Sequence, residues 1–439
     1  MLKQHTIHSF TSIIPREISM ATFTTIPCEI MISILRELGN VRFLLPSLLT
    51  CRHVYSCFKE NPGVAAEILQ RQIPQVVIPY SIAVLEASHL SPRDKTLVHE
   101  LLETLYTQPS KFTERLRTMP VPLLTKMGHI HGVVHDLATD FASSAWTRLS
   151  KDIGSKVAGC LILSPSESLR FCRAFYRVEL YFRLFRCRNS LTTIPFHEHR
   201  FFSNQPPWEK EQLASVQDFL ELKLSKASHD VLAHDVEFGE LGIDYITTGD
   251  NNHFRQLWLS QGVDFIHRLM GENSYDGKKA LLKSAFATGK VDLYEALMSP
   301  LEMDLNDDVP LSDYTDEGLA ALFPSTESQD QDTDKGPFEA WRMAFNHWPR
   351  SAWVMLSNNS GLRERAYVFW DLDRIETYGM LKLFENTPED SELQRAYDDI
   401  DEMHESFEER SKIRQKGGSG YWKKNDESRI IWPTRQDGN

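Results

Sequence analysis

Residues 169–188 have the sequence LRFCRAFYRVELYFRLFRCR, and the spacing of their apolar side chains decides the fold class. Apolar residues recur every three or four positions, which is the repeat of an α-helix with one buried face. That face carries Phe171, Phe175, Val178, Phe182 and Phe185. A second arc of the same helix carries Arg170, Arg173 and Arg177. The pattern predicts an amphipathic helix whose arginine heads reach the solvent, and a partner-binding or nucleic-acid face is the alternative interpretation of those arginines.

The same spacing continues along most of the chain, and strict two-residue alternation, the signal of a half-buried strand, is almost absent. No internal repeat is recognisable. The other helical windows are 26–38, 41–58, 64–72, 93–106, 122–149, 208–234, 253–270, 277–298, 338–347 and 389–413. The sequence therefore predicts an all-α fold, in which an N-terminal three-helix unit is followed by an irregular helical domain.

The composition excludes several classes of function. The 439 residues include 48 Lys and Arg against 61 Asp and Glu, a formal charge of −13, so no nucleic-acid partner is expected. No run of 18 apolar residues is present, so no membrane partner is expected either. The six cysteines lie in apolar or helix-like runs without a Cys-x-x-Cys pair. Such usage favours reduced, buried thiols and an intracellular location, in the cytoplasm or the nucleus.

The strongest candidate for catalytic or metal chemistry is the group His129, His131 and His135. On a helix, His131 and His135 are one turn apart and could share a metal ion, but His129 points away from that face and a third ligand is missing. Residues 304–308 begin like a calcium loop, yet Val309 stands where that loop requires glycine. No phosphate-binding loop and no G-x-S-x-G elbow is present. We therefore predict no catalytic residue, no metal and no cofactor.

Residues 26–58, IPCEIMISILRELGNVRFLLPSLLTCRHVYSCF, resemble an F-box. The family pattern begins with Leu-Pro-x-Glu-Ile, continues with spaced Ile and Leu, and ends with a Leu, a Thr-Cys-Arg triplet and aromatic residues. Here it maps onto Ile26, Pro27, Glu29 and Ile30, then Ile34, Leu35 and Leu38, then Leu48, Thr50, Cys51, Arg52, Tyr55 and Phe58. Three positions depart from the pattern: Ile26 replaces leucine, Phe58 stands where many members have tryptophan, and Pro46 interrupts the second helical window.

The resemblance implies a non-enzymatic substrate receptor of an SCF-type (Skp–cullin–F-box) ubiquitin ligase. The F-box would dock the Skp-type adaptor, and through it a cullin, while the helical domain would bind an unknown protein substrate. By resemblance, the residues that face the adaptor are Ile26, Pro27, Ile30, Leu48, Cys51, Tyr55 and Phe58. Some of them must instead hold the three helices together, and the sequence does not sort the two groups. Two alternatives stay open: a scaffold that binds the adaptor outside any ligase, and an enzyme with an unrecognised helical active site near His131.

A second, shorter resemblance lies at 367–375, where an aromatic run, Trp370-Asp371 and Arg374 are similar to a segment near the C-terminus of many fungal F-box-like proteins. Those proteins more often have Trp-Gly before the tyrosine, where this chain has Arg365-Ala366. The alternative interpretation is a buried aromatic packing element, with Arg374 close to Asp371 one turn back.

Two segments interrupt the helical pattern and divide the chain. Between Leu301 and Lys335 eleven acidic residues face one lysine, so we expect a solvated acidic loop. From Lys416 the chain continues with Gly-Gly-Ser-Gly, a linker composition. The predicted organisation is a disordered extension at 1–20, an F-box at 21–62, a substrate-binding helical domain at 63–300, the acidic loop at 301–336, a helical part at 337–410 packed on the preceding domain, and a flexible tail at 411–439.

Overall fold

A computed structural model of the chain describes residues 23–90, 94–154, 160–186, 201–202, 205–240, 253–298, 309–315, 317–319, 332–348, 359–386, 388, 391–393, 395 and 401–433. The predicted all-α class is confirmed, since helices dominate and the one sheet in these ranges has two short strands. None of the helices in these ranges has the length and apolar character needed to cross a membrane. The chain divides into two compact units, of which the first ends at Gln72 and the second begins at Ile73. The extension predicted at 1–20 lies outside the described residues.

The described part of the first unit contains short helices joined by tight turns. They are α1 (Cys28–Arg36), α2 (Leu44–Leu48), α3 (Arg52–Glu60) and α4 (Val64–Gln72), with 3-10 turns at Phe23–Thr25 and Val41–Phe43. The sequence predicted one continuous helical window over 41–58, but the chain leaves the helix after Leu48 because Cys51 is fully extended. Helix α1 packs against both α3 and α4. The unit therefore extends to Gln72, beyond the boundary predicted at residue 62.

The second unit is built around three long helices. They are α8 (Val121–Ile153), α9 (Pro165–Phe185) and α10 (Pro207–Leu232). The shorter helices of the unit are α5 (Ile78–Ala87), α6 (Lys95–Thr107), α7 (Ser110–Arg115), α11 (Val236–Glu240), α12 (His253–Leu259), α13 (Val263–Gly271), α14 (Tyr275–Ser284), α15 (Leu293–Met298), α16 (Gly336–Phe345), α17 (Ser360–Arg363), α18 (Leu372–Tyr378), α19 (Leu381–Glu385) and α20 (Asp401–Gln415). The strands are β1 (Ser419–Gly420) and β2 (Ile430–Ile431), which pair antiparallel.

Helix α9 begins and packs as its sequence predicts. Ser164 and Glu167 form a reciprocal capping box, and Pro165 occupies the first helical position. The phenylalanine stripe is buried, and Phe171 stacks on Phe369 with ring centroids 4.4 Å apart. Phe141 of α8 contacts the ring of Phe171 edge to face, with ring centroids 5.5 Å apart. Aromatic side chains from three separate parts of the sequence thus form the centre of this unit.

The predicted solvated edge of α9 is wrong, because the three arginines of that edge, Arg170, Arg173 and Arg177, are buried. Arg170 is fully buried and binds Asp332 through two hydrogen bonds of 2.7 and 2.8 Å, and it binds Asp371 at 2.8 Å. Arg177 donates to Glu209 over 2.8 Å. A buried guanidinium needs carboxylates to replace its lost hydration. Segments that follow α9 in the sequence supply them, through Glu209, Asp332 and Asp371.

The acidic segment predicted to stay outside the fold packs into it at its C-terminal end. Asp332 lies on the buried Arg170, and Asp334 accepts from the backbone N–H groups of Gly336 and Leu372 at 2.8 and 3.0 Å. Among the other described residues of the segment, Leu311 is buried. The expectation that like charge prevents this segment from packing is therefore wrong where arginine is available as a counter-charge.

The aromatic run of the segment at 367–375 is buried, in line with the packing interpretation. Tyr367 and Trp370 are fully buried, and Ala366 adopts φ +50°, the left-handed region that favours glycine. Arg374 lies one turn from Asp371, as predicted, but its carboxylate partner is another residue. Arg374 instead binds Glu167 through two short hydrogen bonds of 2.6 and 2.7 Å, because Asp371 is taken up by Arg170.

The tail predicted to be flexible is folded up to residue 433. Helix α20 continues to Gln415, and the β1–β2 hairpin follows. Trp422 and Ile430 are buried together with Val236 and Ile413. The Gly-Gly-Ser-Gly composition is typical of a linker, but here Gly417 (φ +84°) follows the last turn of α20 and Gly420 (φ +102°) lies in strand β1.

Candidate functional site

Helix α1 presents one apolar face to the interior of the first unit and another outward. It begins after Pro27, whose carbonyl accepts from the N–H groups of Ile30 and Met31 at 3.1 and 3.0 Å. Met31, Ile32 and Leu35 are buried. Ile30 and Ile34, one turn apart, have 53% and 47% of their surface exposed. The helix therefore has more apolar surface than the unit itself covers.

Helix α2 divides its leucines in the same way. Leu44 and Leu48 are buried, whereas Leu45 and Leu49 are 50% and 76% exposed. Pro46 lies at the third position of this five-residue helix, where its missing N–H costs no helical hydrogen bond, so the proline is accommodated and the helix is short. Each adjacent leucine pair consequently has one member in the core and one outside.

Helix α3 closes the unit against the segment that precedes α1. Val54, Cys57 and Phe58 are buried, and the Nε2 atom of His53 lies 2.8 Å from the carbonyl oxygen of Ile26. Tyr55 is 54% exposed. A hydrogen bond with Cys57 and, next, the loss of hydration raise the pKa of the Cys28 thiol to about 11, so the thiol is protonated at neutral pH.

Ion pairs and hydrogen bonds fasten α4 to the rest of the unit. Arg36 binds Glu67 at 2.6 Å, and Arg71 binds Glu37 at 3.0 Å. The side chain of Gln72 accepts from the N–H of Val41. Since all of these groups are partly or largely exposed, we expect them to fix the orientation of α4 and to add little to the free energy of unfolding.

The structure shows the exposure of the seven residues for which the F-box resemblance implies contact with the adaptor. Pro27, Ile30 and Tyr55 are exposed, and Ile26 and Cys51 are half-buried. Leu48 and Phe58 are buried at 5% and 9% exposure, so their side chains belong to the core of the unit rather than to a free surface. These two residues are therefore among those that hold the three helices together, a role that the sequence left open for part of the seven, because a unit of this size needs apolar side chains at its helix junctions.

Sequence reasoning missed four exposed apolar side chains: Ile34, Phe43, Leu45 and Leu49. The signal was present as neighbouring apolar pairs, such as Leu44-Leu45 and Leu48-Leu49, since one side of a short helix cannot bury both members of a pair. We define the exposed apolar set as the large apolar side chains that the first unit leaves exposed, together with Pro27 of the F-box pattern. It consists of Pro27, Ile30, Ile34, Phe43, Leu45, Leu49 and Tyr55.

The histidines of α8 have separate neighbours. His129 lies 2.8 Å from Asp264, and buried His131 lies 3.2 Å from the hydroxyl of Tyr176, on which its ring stacks. His135 is exposed beside Asp136. Within the part of the chain that the structure describes, no group of three or more His, Cys, Asp or Glu side chains is arranged to hold a metal ion. Comparison of the chain with protein-family models, with curated proteins and with solved structures finds no match.

Proposed function

We propose that the chain is a substrate receptor of an SCF-type ubiquitin ligase and docks a Skp-type adaptor through its first unit. The observation that carries the proposal is the exposed apolar set, which occupies or adjoins the positions of the F-box pattern. Exposed apolar side chains at this density in so small a unit favour a partner surface, because burial stabilises by about 25 cal/mol per Å². The second unit would then bind a protein substrate and hold it close to the ligase.

The adaptor face can be tested with substitutions that do not touch the core. Ile30→Asp and Leu49→Asp each place a charge on an exposed side chain, so the first unit should stay folded while adaptor affinity falls by a factor of about 100 or more. Ile162→Asp is the matched control, since Ile162 is 81% exposed and belongs to the second unit. The measurement is titration of the purified full chain with the adaptor, with circular dichroism as a check on folding.

Two results separate the proposal from its alternatives. Recovery of a cullin together with the adaptor from cells, lost in the Leu49→Asp variant, supports the receptor, whereas adaptor without cullin indicates a scaffold. Absence of adaptor binding at micromolar concentrations of the wild-type chain would refute the proposal.

A further inference from the structure

The β1–β2 hairpin of the second unit has one paired edge and one open edge. On the side of β1, the N–H of Trp422 donates to the carbonyl oxygen of His234 at 2.8 Å, so the turn between α10 and α11 occupies that edge. On the side of β2, no backbone segment among the described residues continues the sheet. An open strand edge is a surface to which a further extended chain can add.

The register of the hairpin shows which backbone groups face the open edge. The N–H of Tyr421 donates to the carbonyl oxygen of Arg429 at 3.4 Å, and the pairing of β1 with β2 continues from there. In an antiparallel pair, alternate residues direct their backbone groups to the partner strand. The groups of Arg429 and Ile431 therefore point toward β1, and those of Ile430 and Trp432 point away from it.

Most of the groups that point away from β1 are unused. The N–H of Ile430 donates to the carbonyl oxygen of Glu427 at 3.0 Å, within the turn of the hairpin. The carbonyl oxygen of Ile430 and both backbone groups of Trp432 have no hydrogen-bond partner in the part of the chain that the structure describes. The edge therefore offers one donor and two acceptors in the arrangement of a strand.

Apolar side chains lie exposed along the same strand. Ile431 and Trp432 are 68% and 43% exposed, whereas Ile430, which points to the opposite face from Ile431, is buried. Trp432 rests on Gly418, because a Cβ added to that glycine would lie 3.1 Å from the indole ring. We name the exposed side of residues 429–432 the β2 edge. Its apolar side chains favour a partner that covers them.

The surroundings of the β2 edge are basic, although the chain is acidic. Residues 411–433 contain six lysines and arginines against two acidic residues, while the whole chain has a formal charge of −13. Lys416, Lys423 and Arg429 are exposed, and none of them forms a salt bridge with another described residue. These three cations are therefore available to carboxylates of a partner.

The three cations are spread along the edge. The guanidinium carbon of Arg429 lies 4.0 Å from the ring centroid of Tyr421, which holds this cation on the outer face of the hairpin. Lys423 lies at the turn that joins the two strands. Lys416 lies at the other end, because the next residue is a glycine whose added Cβ would lie 3.1 Å from Pro433.

We propose that the β2 edge binds an extended acidic peptide segment of a partner protein, which adds to the hairpin as a third strand. The backbone of the peptide would donate to the carbonyl oxygen of Ile430 and accept from the N–H of Trp432. Its carboxylates would lie near Arg429 and the two lysines, and its apolar side chains would cover Ile431. The proposal concerns the second unit alone, so it and the adaptor proposal can fail separately.

Two other occupants fit the β2 edge less well. A nucleic acid would complement the cations, but its backbone lacks the alternating N–H and C=O groups that match an open strand. The net negative charge of the chain also opposes it. A second copy of the chain would bring the same cations of two hairpins together, and like charges on paired strands repel.

The test is fluorescence anisotropy of the full chain with a labelled hexapeptide of alternating glutamate and valine. One comparison peptide has lysine in place of glutamate, and the other is the acidic peptide methylated on every backbone nitrogen. We expect saturable binding of the acidic peptide and at least about tenfold weaker binding of the other two. The lysine peptide loses charge complementarity, and the methylated peptide loses the donors of a strand.

Two substitutions of Trp432 isolate the backbone hydrogen bond. Trp432→Pro removes both the indole and the N–H of the open edge, whereas Trp432→Val removes only the indole. Proline is tolerated on an edge strand where its nitrogen faces the solvent, so the hairpin should stay folded in both variants, as circular dichroism checks. We expect Trp432→Pro to bind the acidic peptide at least about fivefold more weakly than Trp432→Val does.

A charge reversal tests the cations. Arg429→Glu should weaken binding of the acidic peptide about tenfold and strengthen binding of the lysine peptide. Lys111→Glu is the matched control, since Lys111 is an exposed lysine of α7 and the change in net charge is the same. It should leave the affinity for both peptides unchanged.

Four results would overturn the inference. The first is failure of the wild-type chain to bind the acidic peptide at millimolar concentration. The second is equal binding of the methylated peptide, which would mean that charge alone captures it. The third is tighter binding of a single-stranded oligothymidine, which would assign the edge to nucleic acid. The fourth is self-association of the wild-type chain that Trp432→Pro abolishes, which would assign the edge to a second copy.

Discussion

The buried carboxyl group of Asp218 makes the stability of the second unit depend on pH. Burial raises its pKa from the usual 3.8 to about 7, although Arg363 opposes that shift. The charged or titratable groups around it are Glu211, Glu221, Tyr294 and Arg363. The cleft beside it, between α8 and α10, is also lined by Arg148, Lys223, Lys226, Glu364 and Glu392. The folded chain therefore keeps a proton that the unfolded chain releases above pH 4.

We predict that this proton makes the wild-type chain lose stability relative to Asp218→Asn as pH rises. Because the folded pKa lies above the unfolded one, the contribution is complete below pH 4 and is lost progressively between pH 4 and 7. The difference between a pKa of 3.8 and one of about 7 corresponds to at most roughly 4 kcal/mol of unfolding free energy. Urea unfolding of both chains at several pH values measures the difference. A constant difference across this window would contradict the prediction.

At the scale of elements, α9 shows what periodicity can and cannot predict. The spacing of Phe171 and Phe175 predicted the buried stripe correctly, because a helix face depends on local repeats alone. The partners of Arg170 could not be predicted, since Asp332 and Asp371 follow it by 162 and 201 residues. Composition indicated that the acidic segment repels itself, but it carried no information on a distant guanidinium.

The Asp332→Ala substitution should destabilise the packing of helix α9 in the second unit. Asp332→Ala leaves Arg170 buried with fewer carboxylates, so we expect the unfolding free energy to fall by about 3 kcal/mol. Asp313→Ala is the control, because Asp313 belongs to the same acidic segment with an exposed side chain. Chemical denaturation of the three chains is the measurement. Equal losses in both variants would show that net charge, and not the ion pair, is responsible.

The whole molecule differs most from its sequence-based description at the C-terminus. The Gly-Gly-Ser-Gly composition predicted a free tail, whereas Trp422 and Ile430 complete a buried cluster with Val236, more than 180 residues earlier in the chain. In the first unit, the sequence predicted the helices and their apolar character. It could not tell Leu48 from Leu49, because the pairs Leu44–Leu48 and Leu45–Leu49 both have the four-residue spacing of a helix face.

Truncation should therefore be tolerated after residue 433 and not after Lys416. A chain ending at Lys416 exposes Val236 and Ile413, and we expect a lower melting temperature and increased aggregation. A chain ending at residue 433 retains the hairpin and should melt like the full chain. Scanning calorimetry and light scattering on the three chains give the comparison. Identical melting of all three would mean that the hairpin contributes nothing to the second unit.

The long separation between Arg170 and its carboxylates also bears on synthesis in the cell. Asp332 is translated 162 residues after Arg170, and ribosomes add roughly 5–20 residues per second, so Arg170 emerges about 8 to 32 s before this counter-charge exists. During that interval the arginines and the phenylalanine stripe of α9 have no completed core to enter. We therefore expect the core of the second unit to be completed only after Asp332 and Asp371 have left the ribosome.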